Sequence, residues 1–551
     1  MVTMTCLILL SAAAVAGAQP KPDGKPLNIL WLSVEDMSPW LACYGDKTAP
    51  TPNIDRLARE GVRYTNAFAT TPVCAPARHT IITGMYATST GAMHMRNGTR
   101  SAAADRNPEG AYKDIPLYEA VPPPEVRCFS EFLRGAGWYA TNNVKTDYQF
   151  KPPPTAWDES SGKAHWRNRK DGQPFFAVFN CNFTHESQAF PDAEKRADVV
   201  KPADVPVPPY YPDTPTVRKT LAQTYNNLVA MDKWIGERLA ELEEAKLLDS
   251  TIVVFFSDHG VGLPRGKRSP YHSGIRVPLI VRFPDGQRAG TTDERLVSFI
   301  DWAPTTLSLA GIKQPAYMRG VPFLGQFAGD PSKYAFVTAD RVDATTDTVR
   351  ALTDGRYKYV RNLRTDVPHL PRTAYREKLE IMRDLHALRT GAQATPEQWQ
   401  IVSTSKPPEE FYDTQSDPHE VKNVVDAPEH QARIKEMREA LERWQAETKD
   451  LGLIQPESKL VAEKLWPPDG VQPTTAEPKG TVALSEGGKA TLTAACETDG
   501  ASIGYRRKGE QGWAVYVEPV SVDAGATYEL VAQRIGFKRS EITAAKPAAR
   551  Q

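Results

Sequence analysis

A cysteine lies at the start of a predicted helix in the segment VCAPARHTIITG, residues 73 to 84. Pro76 suits the first turn of a helix, and no helix breaker follows it before Gly84, so we expect Cys74 at the helix N-terminus. The free backbone N–H groups there favour a bound anion or developing negative charge. Arg78 lies one helical turn further along the same face. The spacing predicts either anion chemistry at Cys74 or an ordinary buried cysteine.

Two apolar runs end in pairs of residues that could bind a metal. LNILWLSV is followed by Glu35 and Asp36, and TIVVFFS is followed by Asp258 and His259. Each pair by itself is typical of a helix cap or a solvated loop. In a parallel sheet, however, functional residues gather just beyond the carboxyl ends of the strands. Carboxylates and an imidazole gathered there could hold a divalent metal.

Continuous apolar runs alternate with helical patterns in the N-terminal half of the chain. The runs cover residues 27–34, 175–179, 251–257 and 278–283, and a long helical pattern covers 217–248. Runs that are apolar throughout are typical of strands buried on both faces. We therefore predict an α/β fold, with a parallel or mostly parallel sheet flanked by helices.

The pattern changes in the C-terminal half. VRALTDGRYKYV predicts a hairpin around Asp354 and Gly355, and an apolar stripe between residues 427 and 451 predicts a helix. Farther on, a proline-rich stretch precedes short alternating strands. The predicted divisions are an α/β catalytic domain at 25–345, a smaller α+β subdomain at 346–452, a linker at 453–480 and a small β-sandwich module at 481–545.

The N-terminus and the composition indicate an exported globular protein. An apolar run followed by Ala16-Gly17-Ala18 predicts a signal peptide over residues 1–18, too short to span a membrane. Lys plus Arg and Asp plus Glu number 67 each, so no global charge favours nucleic acid or an anionic membrane. The cysteines form no C-x-x-C pair, which argues against a zinc ribbon or a thioredoxin-like site. We expect a periplasmic or secreted location.

The segment Cys74-x-Pro76-x-Arg78, followed after four residues by Thr83-Gly84, resembles the signature of the formylglycine-dependent sulfatases. The resemblance extends from Leu27 to about Gly452 and is nearest to bacterial heparan N-sulfatase-like and related glycan sulfatases. It implies an alkaline-phosphatase-like core. It also implies that a formylglycine-generating enzyme oxidises Cys74 to an aldehyde during export.

The hydrated aldehyde explains why such a family would modify a cysteine. One hydroxyl of the hydrate attacks sulfur and forms a covalent sulfo-enzyme, while the bond from sulfur to the leaving oxygen breaks. The second hydroxyl then loses its proton, sulfate is expelled and the aldehyde forms again. No water has to attack the hindered anionic sulfur.

The resemblance also assigns roles to other residues. It implies one divalent cation, most simply Ca²⁺ because oxygen ligands dominate, although a histidine nitrogen is atypical for calcium. The implied metal ligands are Glu35, Asp36, residue 74, Asp258 and His259. Arg78, Lys145 and Lys267 match the cations that surround the sulfate, and His185 in NFTHES matches the histidine that faces the leaving oxygen.

Two positions depart from the family pattern. Glu35 stands where an aspartate is commonest, which leaves room for another metal or a shifted geometry. Many relatives carry a histidine two residues after the earlier lysine, where it can take the proton of the hydrate, but this chain has Asp147. Asp147 could act as the base, could orient another group or could mark a different proton acceptor. His79, His94 and His272 are the alternatives that the sequence offers.

The sequence thus predicts an exported sulfatase that hydrolyses a sulfate ester, or a sulfamate, on a carbohydrate. We expect specificity to come from the C-terminal subdomain and from the loop at residues 91–106, whose MHMRNGTR offers cations to an anionic sugar. A phosphoesterase of the same superfold is the first alternative, but it would be expected to carry Ser or Thr at the position of Cys74. A catalytically silent glycan-binding protein is the second.

Overall fold

The computed structural model describes residues 26–98, 115–391, 394–484 and 489–547. The predicted signal peptide and the second half of the loop at 91–106 lie outside these residues. Within the described ranges, no helix has both the length and the apolar character needed to cross a membrane.

The largest sheet contains eight strands. Its strands are β1 Asn28–Val34, β2 Val62–Phe68, β3 Tyr139–Asn143, β4 Glu159–Ser160, β5 Phe175–Cys181, β6 Thr251–Ser257, β7 Leu279–Arg282 and β8 Thr291–Ser298. They are ordered β4-β3-β5-β1-β6-β7-β2-β8. All pairings are parallel except those of β7, which runs antiparallel to β6 and β2. The predicted α/β class with a mostly parallel sheet is confirmed.

Helices cover both faces of this sheet. The described helices are α1 Pro52–Glu60, α2 Cys74–Thr83, α3 Phe129–Gly135, α4 Pro215–Glu244, α5 His272–Ile275, α6 Trp302–Leu309, α7 Ile381–Thr390, α8 Pro396–Val402, α9 Gln431–Thr448 and α10 Glu457–Leu460. The central strand β1 is buried throughout: Leu30 and Leu32 pack with α1 and α4, and Ile29 and Trp31 pack with α2, α3 and α6. Burial on both faces explains why its sequence is apolar without alternation.

A second, antiparallel sheet follows the eight-stranded core. It consists of β9 Ala335–Ala339, β10 Val349–Thr353, β11 Tyr357–Asn362 and β12 Glu409–Asp413, in the order β12-β11-β10-β9. The turn between β10 and β11 contains Gly355 with φ of 97°, a conformation that favours glycine. One face of the sheet packs against Met437, Leu441 and Trp444 of α9. The other face packs against Phe68 and Ile275 of the core.

Two small sheets form a sandwich at the C-terminus. Their strands are β13 Lys479–Leu484, β14 Lys489–Ala495, β15 Ser502–Arg507, β16 Ala514–Tyr516, β17 Val520–Asp523, β18 Tyr528–Gln533, β19 Thr543–Ala544 and β20 Lys546–Pro547. They pair in the orders β17-β14-β13-β20 and β16-β15-β18-β19. Leu492 of one sheet is buried against Tyr528 and Leu530 of the other.

The segment predicted as a linker is partly structured and buried. Residues 457–460 form α10, residues 461–465 continue as a π-helical turn, and Leu460, Leu465 and Trp466 pack against Tyr118 of the core. The Trp466 indole also donates a hydrogen bond to the Gly536 carbonyl of the sandwich at 3.1 Å. We call residues 457–466 the strap. The prolines that predicted a linker only interrupt helix formation, and the apolar residues between them provide the contact with the core.

We expect the strap to contribute to the stability of the whole chain. Trp466 is 7% exposed, whereas Trp399 is 55% exposed. Trp466→Ala should therefore cost about 3–5 kcal/mol of unfolding free energy, while Trp399→Ala should cost far less. Thermal unfolding followed by circular dichroism measures both midpoints. Equal midpoints for the two variants would contradict this role of the strap.

Candidate active site

Cys74 is the first residue of α2 and is fully buried. The preceding Val73 is extended, so the chain enters the helix abruptly at the cysteine. Cys74 packs with Val73, Ala75 and Met95. The structure therefore places the cysteine at a helix N-terminus inside the protein, as the sequence predicts.

The two pairs of predicted ligands meet at one edge of the sheet because β1 and β6 are neighbouring parallel strands, with Val34 opposite Ser257. The Asp36 backbone adopts a φ of 52° and donates its N–H to Asp258 Oδ1 at 3.1 Å. The Cys74 sulfur lies 3.3 Å from His259 Nε2 and 3.9 Å from Asp36 Oδ1.

These side chains fit a divalent cation by their chemistry. Ligand atoms of Asp36, Cys74, Asp258 and His259 all lie within 4.8 Å of one another, as do those of Glu35, Asp36, Cys74 and His185. The His259 Nδ1 lies 2.9 Å from the Gly260 carbonyl, which leaves Nε2 facing Asp36 Oδ1 at 3.0 Å. Burial opposes a charged His259, but Asp258 and Asp36 outweigh it and raise the pKa of this imidazole to about 10. Carboxylates that attract a proton so strongly are equally suited to attract a metal ion.

The site favours negative charge at residue 74. Burial by itself would raise the pKa of the Cys74 thiol, but Lys145 and Lys267 lower it to about 6. Burial likewise opposes the charged form of both lysines, yet nearby anions raise the pKa of each above its usual value. Both lysines therefore remain protonated at neutral pH.

Each of the three predicted cations is held by an acidic partner. The Arg78 Nε donates to Asp258 Oδ2 at 3.1 Å, the Lys145 Nζ donates to Glu35 Oε2 at 2.5 Å, and the Lys267 Nζ donates to Asp36 Oδ2 at 2.7 Å. Arg78 is further oriented by a 2.8 Å hydrogen bond to Asn180 of β5. Three cations thus converge around residue 74 without leaving a buried charge uncompensated.

His185 follows β5 and faces the same site. Its Nε2 lies 3.7 Å from Glu35 Oε2, and its Nδ1 lies 2.9 Å from the Ser187 hydroxyl. The imidazole is about one-seventh exposed, at 14%, so one side of the ring can be reached from outside.

Asp147 lies beside Lys145, with 3.6 Å between Asp147 Oδ2 and Lys145 Nζ. Although burial opposes ionisation, Lys145, Arg96 and Arg78 lower the pKa of Asp147, which is therefore a carboxylate at neutral pH. Two of the alternative histidines are engaged elsewhere. His79 is hydrogen-bonded to the Tyr148 carbonyl and to Thr90. His94 accepts a hydrogen bond from the Arg341 N–H at Nδ1, and its Nε2 lies 3.0 Å from Glu457 Oε1.

His272 is the third alternative. It is buried against the ring of Phe68, and burial together with Lys358 lowers its pKa well below the usual value. An imidazole that is neutral and packed in this way contributes to the core of the fold.

The sequence pattern missed a buried ion pair that joins the loop of His185 to the loop of Lys267. Glu186 accepts two hydrogen bonds from Arg268, each at 2.8 Å, and both side chains are almost completely buried. The Glu186 N–H also donates to Asp36 Oδ2 at 2.7 Å. Glu186 follows His185 and Arg268 follows Lys267, so their neighbours could have drawn attention to them.

The chain matches two protein-family models. The model described as "Sulfatase" matches residues 27–147 and 129–312, together more than half of the chain. The model described as "N-sulphoglucosamine sulphohydrolase, C-terminal" matches residues 264–363.

Comparison with individual proteins also finds relatives that are named as a sulfatase and a sulphohydrolase. An "Ulvan-active sulfatase" of Formosa agariphila is 43% identical over 93% of this chain and 90% of its own length. The human "N-sulphoglucosamine sulphohydrolase" is 26% identical over 84% of this chain and 97% of its own length. A structure solved in complex with its substrate D-glucosamine-2-N,6-O-disulfate shares the fold, with a TM-score of 0.55 at 18% identity, over 77% of this chain and 99% of that chain.

The ligand arrangement predicts that a divalent cation stabilises the protein. Adding Ca²⁺ to chelator-treated protein at a hundred times its dissociation constant should contribute about 2.7 kcal/mol to the unfolding free energy. Asp258→Asn should remove most of this increment, since it removes a carboxylate at the centre of the cluster. Asp171→Asn, at an exposed position, is the matched control. The measurement is the shift of the thermal midpoint on adding Ca²⁺. An identical shift in wild type and Asp258→Asn would place the cation elsewhere.

Proposed function

The chain belongs to the sulfatase family, and from that premise we propose that it is an exported hydrolase of carbohydrate sulfates that uses residue 74 as formylglycine. The observation that carries this proposal is the position of Cys74. It lies buried at a helix N-terminus, between Lys145 and Lys267 and against a cluster of carboxylates. An alkaline-phosphatase-like core provides that position.

The names of the relatives support a polysaccharide substrate. The relative with 43% identity is named for activity on ulvan, and the human relative with 26% identity is named for N-sulphoglucosamine. Since the first covers more of this chain at higher identity, we propose an O-linked sulfate ester on a polysaccharide as the main substrate. The match of residues 264–363 to the sulphohydrolase C-terminal model keeps a sulfamate as the second candidate.

We propose that Glu35, Asp36, Asp258 and His259, together with residue 74, hold one Ca²⁺ ion. When bound, the ion lowers the pKa of the hydrated aldehyde and polarises a sulfate oxygen. Asp36 and Asp258 are fully buried, which keeps water from competing for their oxygens. The oxygen-rich set favours calcium over zinc.

The three cations are proposed to bind the sulfate. Arg78, Lys145 and Lys267 keep their charge inside the protein, because each is paired with a carboxylate. Fixed positive charges of this kind stabilise the charge that develops on the sulfate oxygens without further reorganisation.

His185 is proposed to protonate the leaving group. Its imidazole is partly exposed beside Glu35, so a sugar oxygen can approach the ring from outside. As the bond between sulfur and the sugar oxygen breaks, the electron pair stays on that oxygen, which takes the proton of Nε2. The proton acceptor for the hydrate stays open. Asp147 is ionised and close to Lys145, which supports either a base or an orienting carboxylate.

The burial of Cys74 limits when its proposed oxidation to formylglycine can take place. A side chain with no exposed surface cannot enter the active site of another enzyme, so the proposed formylglycine-generating enzyme has to meet residue 74 before the chain folds. This order fits conversion during export to the periplasm or the exterior.

Neither alternative is favoured. A phosphonate monoester hydrolase of Silicibacter pomeroyi shares the fold at a TM-score of 0.54, but its 18% identity carries no argument about the reaction. A catalytically silent glycan-binding protein would have no use for three cations and a ligand cluster converging on one buried residue.

Mass spectrometry of the peptide containing residue 74 tests the proposal. Protein produced in its natural host, or beside a formylglycine-generating enzyme, should carry the aldehyde and release sulfate from ulvan or another sulfated polysaccharide. Cys74→Ala, the matched control, cannot be oxidised to the aldehyde and should show neither. A thiol in the naturally produced protein, with no sulfate released from any sulfated glycan, would overturn the proposal. Release of phosphate but not sulfate would instead favour the phosphoesterase.

A further inference from the structure

The imidazole of His185 is anchored on its Nδ1 edge. The Ser187 hydroxyl lies 2.9 Å from Nδ1, and the Ser187 backbone N–H approaches the same atom at 3.3 Å. The backbone N–H donates to Nδ1, so this nitrogen accepts and the ring carries its proton on Nε2, while the hydroxyl can donate to or accept from the same edge. With the Nδ1 edge held, Nε2 points toward Glu35 and the sulfate-binding side of the site.

A tyrosine from a distant part of the chain continues this contact. The Tyr375 ring packs against His185 with centroids 6.3 Å apart at 64°, and against Phe190 at 5.1 Å and 62°. Burial raises the pKa of the Tyr375 hydroxyl, and the Ser187 side chain beside it acts in the opposite direction. Tyr375 thus contacts His185 through its ring and lies beside Ser187.

The segment that carries Tyr375 is firmly attached to the core. Arg376 and Leu379 are each about 1% exposed, and Arg376 donates a hydrogen bond to the Pro371 carbonyl. Leu379 belongs to the hydrophobic cluster on the face of α1 and α4. Tyr375 itself is only partly buried, so it presents a surface beside His185 from a rigid support.

Tyr375 lies outside both matched family models, which cover residues 27–312 and 264–363. This contact with His185 therefore comes from a segment that the general family pattern does not describe.

We propose that Ser187 and Tyr375 are positioning residues for His185. The contacts of Ser187 with His185 Nδ1 set the orientation of the imidazole, and the Tyr375 ring packed against it prevents the imidazole from turning away. Nε2 is thereby kept directed at the oxygen of the departing sugar. This inference rests on the proposed function, in which His185 protonates that oxygen.

Comparing kcat for two substrates with different leaving groups distinguishes a positioning role from a general structural effect. A sugar alkoxide needs a proton as it departs, whereas 4-nitrophenolate departs readily without one. For a sulfated polysaccharide, Ser187→Ala should lower kcat by about tenfold to a hundredfold, because misplacing a reacting group by an ångström has effects of that size. Tyr375→Leu, which removes the ring that packs against the imidazole, should lower kcat in the same direction. For 4-nitrophenyl sulfate the losses should be several times smaller.

A double-mutant cycle provides the decisive comparison. In a His185→Ala background, Ser187→Ala and Tyr375→Leu should cause no further loss of kcat on the polysaccharide, since both residues act through His185. Ser187→Thr, which retains a hydroxyl, should recover most of the activity. Tyr516→Leu in the sandwich is the matched control and should leave kcat unchanged for both substrates. Full additivity in the His185→Ala background, or equal losses on both substrates, would overturn the inference.

Crystal structures of the wild type and Ser187→Ala keep this test separate from that of the proposed function. If Ser187 orients His185, the imidazole should lie near Glu35 in the wild type and should be rotated or disordered in Ser187→Ala. An unchanged ring would overturn the inference even if sulfate is released. Absence of sulfate release from the wild type would overturn the proposed function, and ring orientation would still decide the inference.

Discussion

The active site depends on the mutual neutralisation of charges that have been removed from water. Asp36 and Asp258 are completely buried, and a buried carboxylate without a partner would be strongly destabilising. Lys267 compensates Asp36, Arg78 compensates Asp258, and His259 lies between the two acids. Since these partners come from separate loops and from α2, the folded chain has to bring all of them to one point. The same requirement gathers carboxylates, an imidazole and three cations at one point, which is the site proposed to bind a metal ion and a sulfate.

The scaffold meets this requirement through strand order. Because β1 and β6 are parallel neighbours, the residues that follow them leave the sheet at the same edge. On the other side of β1, the parallel strand β5 brings Asn180 to Arg78 and leads into the loop of His185 and Glu186. Glu186 then binds Arg268 and, through its backbone, Asp36, so the loops on both sides of the site restrain each other.

Residues from the C-terminal half of the chain pack directly around the candidate site. Glu457 of the strap accepts a hydrogen bond from Arg341 at 2.7 Å, and the Arg341 carbonyl accepts the N–H of Met95, which packs against Cys74. Tyr375 reaches His185 from the same half of the chain. Composition predicted a linker at residues 453–480 because prolines and polar residues dominate this segment. The buried contacts of the strap are made with residues that are distant in sequence, so composition could not reveal them.

Local sequence pattern predicted the strands and helices and brought forward most residues of the candidate site. Unbroken apolar runs specify strands buried on both faces, and the spacing of Cys74, Pro76, Arg78 and Gly84 specifies a helix that begins at the cysteine. Both signals lie within a few residues of chain, so the amino-acid sequence by itself determined the α/β class, the strand ends that carry acids and the helix of Cys74. The pairing of Glu186 with Arg268, the contact of Tyr375 with His185 and the engagement of His79 and His94 elsewhere were decided only by the tertiary structure. A buried charge or ring is satisfied by whatever the fold brings next to it, and that neighbour is set by sheet order and loop packing.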